Sequence, residues 1–160
     1  MAIIVEDGTI VANANSYVTD GEFQTYAFER GMDVAASTLD RTALLLLATD
    51  WMSGMNYQGL YVDADNQYLP FPRSNVYAYG RTIDSTSIPK ELKYAQMEAA
   101  IAAYTTDLLV NQSSGNVTKV KLDVMETEYA AGGIWTKVRV GRAMNYLKPF
   151  LGPTDKLVRT

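Results

Sequence analysis

Catalysis near neutral pH commonly relies on an imidazole, a thiol or a pair of carboxylates, and this 160-residue chain has no histidine and no cysteine. Imidazole acid–base chemistry, thiol nucleophiles, Cys/His zinc sites and disulfides are therefore excluded. Two carboxylate pairs remain, Glu126 with Glu128 and Asp63 with Asp65. Both lie in stretches read as exposed, where carboxylates mostly solvate. Asp63-x-Asp65-x-Gln67 opens like a calcium loop, but Tyr68 stands where an EF-hand needs glycine and Ser74 where it needs a bidentate glutamate. There is no Walker loop, dinucleotide turn or nucleophile elbow. The expectation is a protein without catalytic residues, metal or cofactor.

A binding chemistry is better represented. Tyr68, Phe71, Arg73, Tyr77, Tyr79 and Arg81 interleave aromatics with arginines, the residue types of a platform on which single-stranded bases stack. The same tyrosines could close a loop against the core. They could also form a protein interface, because tyrosine supplies large contact area at small entropic cost. The isoelectric point of about 4.8 ranks stacking on DNA last of the three, since an acidic protein repels a phosphate backbone.

The net charge of −4 conceals an asymmetry. Residues 1–70 hold 2 basic and 10 acidic side chains, whereas residues 71–160 hold 12 basic and 8 acidic. Opposite charges could meet between copies of the chain or neutralise each other inside one domain. No apolar run reaches membrane length and the first residues lack a signal-peptide pattern, so the expectation is a soluble protein of intracellular origin.

The elements that must position these side chains are mainly helical. Thr19 and Glu22 have capping-box spacing, which predicts a first helix ending at Gly31 with Phe23, Tyr26 and Ala27 inward. A second helix starts near Ser37–Asp40, carries four consecutive leucines from Leu44 to Leu47 that predict burial on most sides, and stops at Gly54. The third follows Pro89 and has two apolar stripes. Tyr94, Met97, Ile101, Tyr104 and Leu108 form one, and Leu92, Ala95, Ala99, Ala102 and Ala103 the other. Such a helix is sandwiched between two layers, with polar seams at Lys93, Gln96 and Asp107 and at Glu91, Glu98 and Thr105. Leu46, Trp51, Met97, Ile101 and Tyr104 are the expected core.

Ala2–Glu6 suits an edge strand or extended arm, and Val117–Tyr129 alternates like a half-buried strand that projects beyond the core. Val138–Leu147 is a last helix limited by Pro149, and Gly152–Thr160 is a basic tail with little means of packing by itself. The expected fold is mainly α, a bundle of three to four helices with a small β element, a projecting strand or hairpin around 117–129. It makes one domain, 1–151, followed by the tail, 152–160.

Several stretches, taken in order, resemble a family of small bacteriophage proteins labelled DnaT-like single-stranded DNA-binding. They are Val5-Glu6-Asp7-Gly8-Thr9, Ala12-Asn13-Ala14-Asn15-Ser16-Tyr17, the Tyr26–Gly31 helix end and Ala48-Thr49-Asp50-Trp51. Further on come Leu69-Pro70-Phe71-Pro72-Arg73, Ile88-Pro89 with Glu98 behind it, Glu126–Ala130 and Leu147-Lys148-Pro149-Phe150-Leu151. The resemblance implies a head-to-tail adaptor, a helical bundle with an extended β loop and a docking C-terminal segment. Such a protein forms a ring of its own copies, typically twelve, beneath the portal. It joins portal to a tail or neck protein in the virion after assembly in the host cytoplasm, and DNA passes through its lumen without specific binding. On that basis Tyr77, Tyr79, Arg81, Glu126, Glu128, Lys156 and Arg159 are the expected portal or neighbour contacts. The alternative is the label itself, a single-stranded DNA-binding protein.

Overall fold

A computed structural model describes residues 2–108, 119–122, 125–128 and 140–152, the two short stretches at the level of their backbone. The described part is rich in helix. Helix α1 spans Asp20–Glu29, and its capping box is complete: Thr19 accepts from the Glu22 N–H while the Glu22 carboxylate accepts from the Thr19 N–H. Phe23, Tyr26 and Ala27 are its buried face. Helix α2 spans Thr38–Ser53, capped by Ser37, with Gly54 as its C-cap. Helix α3 spans Lys90–Ala103. Pro89 stands at its N-cap with φ −57°, so the ring blocks helix propagation backwards without removing any helical hydrogen bond. Helix α4, Gly141–Leu147, continues into a 3₁₀ turn, Lys148–Phe150, tightened by Pro149.

Helix α3 packs on α2 and on α4, as its two-sided pattern predicts. Two residues of the polar seams between the stripes are drawn inside. Gln96 is fully buried and Glu98 nearly so. The Gln96 Nε2 donates to Ser16 Oγ (2.8 Å), Thr49 Oγ1 (2.8 Å) and the Leu45 carbonyl (3.2 Å), and its Oε1 accepts from the Tyr17 N–H (2.9 Å). That one side chain therefore ties α3 to α2 and to the segment before α1. Glu98 accepts from the Tyr26 hydroxyl at 2.9 Å.

The expected core needs revision. Trp51 and Met97 are buried, but Leu46 and Ile101 are half-buried and Tyr104 is 51% exposed. Helix α3 ends at Ala103, so Tyr104 lies past the last residue to which its periodicity applies. The four leucines do not encircle a buried helix either. Leu44 and Leu45 are inside, and Leu47 faces out.

Three two-stranded antiparallel pairs accompany the helices among the described residues. Strand β1, Leu60–Tyr61, pairs with β2, Arg73–Ser74, and strand β3, Tyr77–Ala78, pairs with β4, Arg81–Thr82. Within the run expected as a projecting strand or hairpin, β5 at Lys119–Leu122 pairs antiparallel with β6 at Met125–Glu128. Ala2–Glu6 forms no named strand and makes a single parallel bridge, Val5 to Ser16. Its anchor is Glu6, fully buried, whose carboxylate accepts from the N–H groups of Gly8, Ile10 and Val11.

Helices α1 and α2 are joined by a charge-assisted fork. Arg41 Nε donates to Asp20 Oδ1 (2.6 Å) and Nη2 to Oδ2 (2.9 Å), and Nη1 reaches the Ala35 and Ala36 carbonyls. This guanidinium holds the Asp20 carboxyl below the ordinary carboxylate range.

Candidate functional site

Residues 56–83 hold two small strand pairs and no helix, yet they are built on a fully buried aromatic centre. Phe71 meets Tyr57 edge-on (5.3 Å between centroids) and Phe150 edge-on (5.9 Å), and its N–H donates to the Tyr17 hydroxyl at 3.0 Å. Burial pushes the Tyr57 phenol well above its ordinary pKa. Phe150 belongs to the 3₁₀ turn after α4, so the C-terminal end of the bundle is the floor of this region.

Arg73 is the pin. Its side chain is buried, and it donates to the carbonyls of Gln58 (2.8 Å), Gly59 (2.8 Å) and Pro70 (3.4 Å) while lying 4.5 Å over the Tyr61 ring. Gly59 has φ +76°, and a Cβ there would strike the Ser74 carbonyl, so no other residue fits. Gln58 completes the tie. Its Oε1 accepts from the Tyr77 N–H, and its Nε2 donates to the Pro149 carbonyl at 2.6 Å. The last described residue, Gly152, donates to the Asn56 carbonyl at 2.9 Å, which places the start of the C-terminal tail beside this region.

On this support stands a β3–β4 hairpin with the two-residue turn Tyr79-Gly80. Both turn residues have positive φ, +54° and +76°, as a type I′ turn requires. Glycine adopts that conformation at no steric cost, and tyrosine does not. Tyr79 is nevertheless 58% exposed, with its ring edge-on to Phe150 at 6.0 Å. Partial burial and then the Glu91 carboxylate raise its phenol pKa. Tyr77 is 61% exposed, and Tyr68, Tyr61, Leu60 and Arg81 are exposed along the same stretch.

The aromatic–arginine run thus divides. Tyr68, Tyr77, Tyr79 and Arg81 are presented to solvent, while Phe71 and Arg73 are withdrawn into the scaffold. Glu126 and Glu128 are registered opposite Lys121 and Lys119, so each carboxylate position faces a cationic one across the strand pair. Lys156 and Arg159 lie outside the described residues, as does most of the tail. Asp63 Oδ1 accepts from the N–H groups of Asp65 and Asn66, and Asp63 Oδ2 from the Asn66 side chain, which makes the acidic loop an Asx turn. Among the described residues no group of three acidic side chains is arranged to hold a metal ion, and no helix is long and apolar enough to cross a membrane.

Sequence reading missed the inward roles of Glu6, Gln96, Glu98 and Arg73.

The full sequence, residues 1–160, matches the model of a family described as "Putative DnaT-like ssDNA binding protein". No curated protein and no solved structure matches it.

Proposed function

Since the chain belongs to the DnaT-like ssDNA binding family, we propose that it is a non-catalytic binding protein whose working surface is the tyrosine hairpin, and that this surface meets protein, as in a head-to-tail adaptor. The observation that carries this is the division of the aromatic–arginine run. A stacking platform needs cations beside its aromatics to hold phosphates. Arg73 spends its donors on backbone carbonyls, which leaves Arg81 as the arginine exposed on the hairpin. Residues 2–108 and 140–152 carry 14 acidic against 8 basic side chains, hence a net of −6. Exposed tyrosines on a rigid support with little positive charge suit a protein interface. In the adaptor reading the chain forms a homo-oligomeric ring between portal and a tail or neck protein, and the tail, whose first residue Gly152 bonds the Asn56 carbonyl, joins in the docking. An acidic lumen would let DNA pass without specific binding.

The family description favours the second reading, single-stranded DNA, and names no portal, tail or neck protein. Tyr68, Tyr77, Tyr79 and Arg81 are the residues that such a strand would use.

Electron microscopy of the protein with and without its cognate portal, paired with an oligonucleotide shift assay, separates the two. Rings or portal-bound collars without a DNA shift are the expected result. A monomer that ignores the portal and shifts oligonucleotides at physiological salt, with the shift lost in Tyr77→Ala, would establish the DNA reading instead.

A further inference from the structure

Helix α2 carries an apolar face that points to solvent. Leu39, Ala43, Leu46 and Leu47 recur at helical spacing along it, with Asp40 and Asp50 between and beside them. Leu39 is 65% exposed and Leu47 40%. Next to this face is a groove of about 430 Å³ lined by Ala35, Ala36, Asp40, Ala43, Leu44 and Tyr104. The only basic residue of α2, Arg41, is turned inward and committed to Asp20. The face is therefore apolar and purely acidic, a combination that suits a basic partner surface.

The chain carries such charge itself. Residues 117–160 hold 8 basic and 4 acidic side chains. Within this part, α4 and its 3₁₀ turn contain no acidic residue and expose Arg142 and Lys148. We propose that the α2 face is a docking site for the basic C-terminal third of a second copy, in a head-to-tail contact. The α2 face and the basic segment differ, so a pair of copies keeps one of each unfilled, and repetition closes a ring or extends a filament. This proposal rests on the assembly reading above, but it uses a surface separate from the tyrosine hairpin.

Sedimentation velocity of the full chain over a range of concentration and salt tests it. The wild type should associate reversibly, less so at high salt. The double variant Leu39→Glu/Leu47→Glu should associate at least about tenfold more weakly, with an unchanged circular dichroism spectrum and melting temperature because both positions face water. Mixed with wild type, it should still bind, since its basic surface is intact, and should shorten the assemblies. Association that persists in the double variant, or that ignores salt, overturns the proposed face. If that persisting association is lost in Tyr79→Ala, the adaptor reading survives and the face alone is wrong. A wild type that stays monomeric and shifts oligonucleotides overturns both.

Discussion

The helical bundle and the region from 56 to 83 are each centred on a buried polar side chain, Gln96 in one and Arg73 in the other. Gln96 joins elements that already exist. Its partners lie on α2 and on the segment leading into α1, and α1 and α2 each have their own cap and apolar face. Arg73 organises chain that has almost no regular structure, by giving the carbonyls of Gln58, Gly59 and Pro70 the donors a longer ladder would supply. In the bundle, the exposed apolar residues Leu39 and Leu47 sit on a helix of ordinary conformation. In the hairpin the exposed tyrosines are held outward, with Tyr79 in a conformation unfavourable for its own type. A fold can carry such strain only where the surroundings over-determine it.

The sharpest contrast within the bundle is between neighbours on α2. Leu45 is fully buried and Leu47 faces water. Leu45→Asp strands a charge in the core and should cost more than about 4 kcal/mol, leaving the chain unfolded. Leu47→Asp should stay within about 0.5 kcal/mol of wild type. Chemical denaturation of both variants checks this, and equal losses would mean that the solvent-facing side of α2 is ordinary core.

Next in size is the difference between the two polar centres. Gln96→Leu leaves the Tyr17 N–H and the Ser16 and Thr49 hydroxyls without their shared partner, and should cost about 3 kcal/mol across the whole domain. Arg73→Ala should cost about 2 kcal/mol, concentrated in residues 56–83. Hydrogen exchange distinguishes them. Gln96→Leu should raise exchange throughout the helices, and Arg73→Ala should raise it in the loop region while the α2 and α3 amides stay protected. Uniform exchange in Arg73→Ala would show that the two regions unfold as one.

A smaller effect separates them by pH. The Asp20 carboxyl, paired with Arg41, has a folded pKa below its unfolded value of about 3.9. A depressed carboxyl adds stability that is fully present above the unfolded pKa and is lost as pH falls through the folded one. Acid titration should therefore loosen the α1–α2 junction, and Asp20→Asn should flatten that part of the profile while leaving residues 56–83 unchanged. A junction that responds to acid identically in wild type and Asp20→Asn would contradict this.

Legibility in the sequence followed the range of the interactions. The caps at Thr19 and Ser37 and the stop signals at Gly31 and Gly54 involve residues within a turn of each other, and they placed α1 and α2 closely. Gln96 and Glu98 read only as members of polar seams because their partners lie far away in sequence, 80 residues for Ser16 and 72 for Tyr26. Tyr104 continued a stripe whose helix had already ended. Strand pairs of two residues are too short to show a period, so β1–β4 were invisible. Arg73 and Arg81 looked alike, and only the fold decides that one is a pin and the other exposed. The family was legible from the order of its stretches, whereas its partner was not.

The smallest predicted effect on stability is the one that tests function most directly. Tyr79→Asn places in the type I′ turn the residue that precedes glycine most favourably there. The relief of positive-φ strain is on the order of 1 kcal/mol, and the lost edge contact with Phe150 is of similar size. Stability should therefore change by no more than about 0.5 kcal/mol, whereas Phe71→Ala, at the buried centre beneath it, should cost about 3–5 kcal/mol. If the hairpin is the working surface, Tyr79→Asn should still weaken portal binding or oligomerisation at least about tenfold. A tyrosine kept in a strained conformation at no gain in stability is explained by contact with a partner. If binding survives the substitution, the Tyr79 ring is only a lid on Phe150 and the working surface lies elsewhere.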